Sequence, residues 1–208
     1  MLIPTRAAAV TMNIGRSALV QRGIRLSYVT IGYNSVEAVL SLAAGLAAGS
    51  VALVSFGIDS AIEVTAAGAA QFRLRRDHDP VRRASAEKVA HRIIGASFLL
   101  LALYVLLDAS RSLWLRHPPE SSRFGMIVLA ASVVVMPLIA RAKKKVAAGL
   151  GSGALKSDAA QTSLCAYLSL IALIGVALNA LLGWWWADPL AALAMTPIIV
   201  KEGLEGLS

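Results

Sequence analysis

Six apolar stretches, separated by connections in which the charges collect, leave this chain few ways to fold. A bilayer core about 30 Å thick needs about 20 apolar residues per helical crossing. The stretches predict helices near Leu26–Ala48, Ser50–Phe72, His91–Leu113, Phe124–Ala140 (with Pro137 inside), Ser157–Trp184 and Pro189–Leu204. Gly49-Ser50 leaves room only for a tight hairpin between the first two. In hydrocarbon every backbone polar group must find its partner within the protein, so spans of this length are helices. The expectation is an all-α integral membrane protein with six transmembrane helices, a domain over residues 26–208 and a cytoplasmic N-terminal arm over 1–25.

Composition supports this class: of 208 residues 57% are hydrophobic and 15% charged, and the mean hydropathy is +0.69. Soluble domains are nearer 45–50% apolar and about 25% charged. The net charge of +8 would suggest nucleic acid in a soluble protein. Here the cations are segregated, which speaks of topology and anionic lipid instead, and no nucleic-acid partner is expected. They crowd the segment QFRLRRDHDPVRRASAEKVAHR, the connection after helix 4 (Arg141, Lys143, Lys144, Lys145, Lys156) and the N-terminal arm. The opposite connections offer Arg116 and Arg123, with Arg111 near the end of helix 3. By the positive-inside rule both termini are cytoplasmic, in a membrane of the bacterial plasma type, and Trp184-Trp185-Trp186 marks the outer interface. The opening MLIPTRAAAVTMNIGRS lacks the uninterrupted apolar region and cleavage site of a signal peptide. The single cysteine, Cys165, cannot close an intramolecular disulfide and is a free thiol.

The polar residues inside the spans carry the chemistry. Asp59 and Glu63 are one helical turn apart on one face of helix 2. A charged side chain at bilayer depth costs at least about 2.5 kcal/mol and normally faces a bundle interior, so the pair reads as two hard oxygen donors for a divalent cation. Asn34 and Glu37 share a face of helix 1, where Asn34 serves equally as an interhelical hydrogen-bonding residue. Asp158, Gln161 and Cys165 line one face of helix 5 with Thr162 close by: a carboxylate, an amide and a thiol opposite the helix 2 pair. Each has an ordinary alternative. Asp158 could cap its helix, Gln161 could bridge helices, and Cys165 could be a small buried hydrophobe. Asp108 beside Arg111 reads as an interfacial ion pair, and Asp77, His78 and Asp79 as a solvated loop. Asp188-Pro189 reads as the cap and first turn of helix 6, and Met126, Met136 and Met195 as packing or lipid-facing residues. No phosphate loop, Ser/His/Asp arrangement or zinc-protease helix appears, so no enzyme and no prosthetic group are expected.

AAGLAAGSVALVSFGIDSAIEV, with a glycine-serine hairpin followed by two acidic residues four apart, resembles helices 1–2 of the cation diffusion facilitator family of metal/proton antiporters. SDAAQTSLCAYLSLIALIGVALNALLGWWWADPLAALAM resembles its helices 5–6, including the Asp-Pro entry to helix 6. The resemblance runs from about residue 26 to the end. It implies a divalent-cation efflux carrier, most simply for zinc, with manganese, iron(II) and cobalt also compatible. Asp59 and Glu63 fall on the family's helix 2 ligands; Gln161 and Cys165 fall where it has His (or Asp) and Asp. Asp158 or Glu37 would restore the lost charge. The pattern is closest to tail-less vesicular zinc transporters, and the stop at GLEGLS leads to the expectation of no C-terminal soluble domain. The resemblance further implies a homodimer, proton exchange, and rocking of helices 1, 2, 4 and 5 against a 3–6 pair. A metal-binding scaffold or sensor without transport, and a passive cation channel, remain the alternatives.

Overall fold

Backbone that cannot reach water bonds to itself, and helices are the means by which the described residues do so. A computed structural model describes residues 6–75, 80–116 and 119–207. Among these there are six helices and no strand: α1 (Arg6–Ala48), α2 (Val51–Arg75), α3 (Pro80–Leu115), α4 (Arg123–Leu150), α5 (Gly153–Leu182) and α6 (Ala187–Leu207). Five are long and apolar enough to cross a membrane. The sixth, α6, ends in a charged segment with Lys201, Glu202 and Glu205.

Several helices outrun the apolar windows that announced them. The arm expected before residue 26 is, from Arg6 onward, the start of α1, because its alanines, arginines and leucine favour helix and no proline follows Pro4. Likewise α4 passes through the lysine run to Leu150, and the basic connection expected after Ala140 is reduced to Gly151-Ser152. These two residues do the terminating. Gly151 takes φ +58 and closes α4 through its N–H, while the Ser152 hydroxyl accepts from the Leu155 N–H to open α5. At 1.5 Å per residue the 28-residue α4 is about 42 Å long, so it extends beyond the hydrocarbon.

The helices pair as α1 with α2, α3 with α6, and α4 with α5. Helices α1, α2, α4 and α5 surround the polar interior, and the α3–α6 pair lies against α2 and α5. The α1–α2 hairpin turns on Gly49 at φ +65, a conformation that side chains resist. In the α3–α6 pair a Cβ on Gly95 would stand 2.7 Å from the Gly203 carbonyl oxygen, so only glycine permits that approach. The main core includes Leu53, Phe56, Leu129, Met136 and Met195; the last two are therefore packing residues. A second apolar cluster of Leu74, Val146, Leu150 and Leu155 closes the end where α4 meets α5.

Candidate cation site

Helix α2 alternates core residues with a polar face one turn wide, and that face holds Asp59, Ser60 and Glu63, all buried. Glu37 of α1 and Asp158, Gln161, Thr162 and Cys165 of α5 are buried as well. Together they form a polar column. Asp158 lies five residues into α5, about 8 Å along its axis, and Cys165 about 18 Å along it, so the column climbs from the α4–α5 end towards the middle of α5.

The upper part joins α1, α2 and α5. Ser60 Oγ donates to Glu37 Oε2 at 2.9 Å, and the Cys165 thiol stands 4.0 Å from the same oxygen. That thiol also lies beside the Asp59 and Glu63 carboxyls. The lower part is organised by a residue assigned above to a loop. Lys143 of α4 is 0% exposed. Its Nζ donates to Asp158 Oδ1 at 2.8 Å and to Thr162 Oγ1 at 2.9 Å, and lies 3.9 Å from Glu63 Oε1. Thr162 passes the interaction on, its hydroxyl donating to Glu63 Oε1 at 2.5 Å.

The column is rich in acceptors, with the Tyr33 and Ser132 hydroxyls beside Glu37 and the Cys165 thiol beside Glu63 as further donors. Glu37 Oε1, Glu63 Oε2, Asp158 Oδ2 and Gln161 Oε1 are buried and have no hydrogen-bond partner. Each such oxygen costs about 1–3 kcal/mol unless a cation or proton satisfies it. Among the described residues, Glu37, Asp59, Glu63 and Asp158 share this interior with one buried cation, Lys143. The donor set, carboxylates with an amide and a thiol, suits a borderline divalent ion such as zinc. In this conformation, among the described residues, no three of His, Cys, Asp and Glu stand close enough to hold one metal ion together.

Several expectations change in this light. Asp158 does not cap α5, because Ser152 does. Asn34 does not bridge helices: its amide donates to Thr30 O at 3.1 Å within α1. Asp108 takes a hydrogen bond from Tyr104 Oη at 2.9 Å on its own helix, in place of the expected pair with Arg111. Asp188 starts α6 but caps α2, its carboxylate accepting from Ser50 Oγ and, at 3.3 Å, from the Ala52 N–H. The loop residues Asp77, His78 and Asp79 lie outside the described residues.

Lys143 was legible in principle. The buried positions of α4 include Met136, Ala140, Lys143, Ala147 and Leu150, a stripe at steps of three and four with one lysine in register. Its neighbours Lys144 and Lys145 are exposed. Of the three consecutive lysines, the helical register turns Lys143 alone inward.

A helical membrane bundle with a buried acidic interior is the class of protein that this fold and this column define. The chain matches the cation efflux transmembrane domain over residues 27–208 and belongs to the cation diffusion facilitator family. Among curated proteins it is similar to the magnetosome protein MamB of Magnetospira sp., 24% identical over 184 residues, 86% of this chain and 61% of that protein. It is also similar to an uncharacterized transporter of Synechocystis sp., 25% identical over 176 residues, 81% of this chain and 57% of the other. A second MamB, from Paramagnetospirillum magneticum, is 25% identical over 167 residues, 77% of this chain and 56% of that one. The chain thus spans less than two thirds of the length of these relatives.

Proposed function

We propose that this protein carries a divalent metal cation, zinc in the first instance, out of the cytoplasm in exchange for protons. Asp59 and Glu63 bind the ion, Asp158 and Cys165 complete its shell, and Gln161 and Glu37 assist. The observation that carries this reading is the set of four buried oxygens without donors on Glu37, Glu63, Asp158 and Gln161, in a chain of the cation efflux family. An unmet acceptor in a membrane interior is stabilised by a cation, and four on three facing helices suit a multivalent one.

Proton exchange follows from the ligand chemistry. Metal binds the ionised carboxylates, so each ion entering the column competes with protons for the same oxygens, and metal affinity falls as pH falls. The separate pairing of α3 with α6 supports rocking of α1, α2, α4 and α5 against that pair. The segregated basic residues support cytoplasmic termini, and the family supports a homodimer.

The test is flux into proteoliposomes loaded with a fluorescent zinc indicator. Wild-type protein is expected to accumulate zinc at a rate that follows an imposed pH gradient, and the D59A/E63A variant to give only the leak of empty vesicles. Persistent transport in that variant refutes the site. Flux indifferent to the pH gradient points to a channel, and binding without flux to a scaffold.

A further inference from the structure

Nothing in the reading of Asp59 and Glu63 as ligands calls for a lysine, yet one occupies the lower half of their column. Lys143 Nζ lies within 2.8 Å of Asp158 Oδ1, 2.9 Å of Thr162 Oγ1 and 3.9 Å of Glu63 Oε1, as an ammonium coordinated by oxygen. Helices α4 and α5 do not need it as a fastener. They are joined by a two-residue connection and already pack through Val146, Ala147, Leu150 and Leu155. A buried ion pair adds little over apolar packing of similar volume. Nor is its charge needed to orient the chain, since exposed Lys144 and Lys145 adjoin it.

We propose that the Lys143 ammonium is a tethered counter-cation: it fills the Asp158–Glu63 half of the column in the metal-free carrier and is displaced when a divalent ion enters. The proposal rests on the reading of this column as the cation site. The geometry favours displacement over a permanent bond. The same two carboxylates cannot serve an ammonium and a doubly charged ion at contact distance. The lysine stem has four rotatable carbons, so its head can move while the helix stays. Gln161 Oε1, one turn from Asp158 and without a donor, offers the ammonium its next acceptor. The carboxylates that the lysine holds are also members of the set that does not assemble three metal-ligating groups around one point in this conformation.

A tethered cation has two consequences. The carrier can return empty with part of its buried negative charge compensated, which lowers the cost of that step in hydrocarbon. It also sets a threshold, because an ion must outcompete the ammonium to be loaded. A singly charged ion gains little by the exchange, and a divalent ion gains more.

Two measurements on the full chain in lipid nanodiscs test this. Zinc titration at fixed pH is expected to show K143M binding at least about tenfold more tightly than wild type, equivalent to about 1.4 kcal/mol, while K143R, which keeps the charge, gains nothing. Labelling of wild-type protein with a small amine reagent, read by mass spectrometry, is expected to rise severalfold at Lys143 with saturating zinc; Lys144 and Lys145 serve as references. Unchanged or weaker zinc binding in K143M, with D59A/E63A still abolishing it, overturns the lysine's role and leaves the cation site standing. Zinc-independent labelling at Lys143 does the same, and decides the matter alone should K143M not fold. Wild-type protein that binds no zinc overturns both readings.

Discussion

Removing Asp158 should reveal how strongly the buried lysine is held. In D158A the Lys143 ammonium, 0% exposed, loses its 2.8 Å partner and keeps Thr162 and the Glu63 carboxyl 3.9 Å away. Breaking a buried ion pair from one side costs about 3–5 kcal/mol, because the surviving charge is left in a medium that cannot solvate it. Glu63 remains as a weaker partner, which places the expected loss near the lower end, about 3 kcal/mol. D158N keeps an acceptor oxygen without the charge and should lose about half as much. Replacing both residues by methionine removes the charge together with its partner and should return stability to within about 1 kcal/mol of wild type. The assay is unfolding in mixed micelles of dodecyl maltoside and increasing SDS, followed by circular dichroism and fitted for each variant. A D158A loss below about 0.5 kcal/mol, the scale of a surface substitution, refutes the pairing. So does a double variant no more stable than D158A, because removing the stranded ammonium would then relieve nothing.

Other outcomes follow from the same geometry. D188A strips the acceptor from Ser50 Oγ and the Ala52 N–H and should cost about 2 kcal/mol, with S50A costing about 1; thermal unfolding in micelles checks both. Because that contact lies at the far end of α2 from Lys143, zinc affinity of refolded D188A should match wild type. C165S exchanges a soft ligand for a hard one, so a competition titration should show zinc and cadmium losing ground to manganese. An unchanged order of preference would make Cys165 a packing residue.

Helix 2 was legible residue by residue because everything it declares is local. Four-residue spacing places Asp59 and Glu63 on one face whatever surrounds them, and the cost of charge in hydrocarbon directs that face inward. Helix 5 was legible to the same degree: Asp158, Gln161, Thr162 and Cys165 do share one buried face. Misreadings arose where hydropathy was asked to mark the end of a helix. A window average falls at Arg141 although the helix continues to Leu150, since a helix outside the bilayer is as well bonded as one within it. Lys143 was lost to that boundary. Asp188 differs for another reason: capping chemistry is recognisable in sequence, but its recipient Ser50, just before α2, is 138 residues away along the chain and adjacent only in space.

The sequence alone determined the class, the number of helices and the polar faces that α1, α2 and α5 turn inward, because a bilayer makes length, apolarity and 3.6-residue periodicity sufficient for those. Only the tertiary structure decided which polar groups meet. The partnership of Lys143 on α4 with Asp158 on α5 and Glu63 on α2, and of Asp188 with the first turn of α2, depends on how helices are brought side by side. Such contacts are fixed by side-chain packing and by close glycine approaches such as Gly95 to Gly203, and no local pattern encodes them.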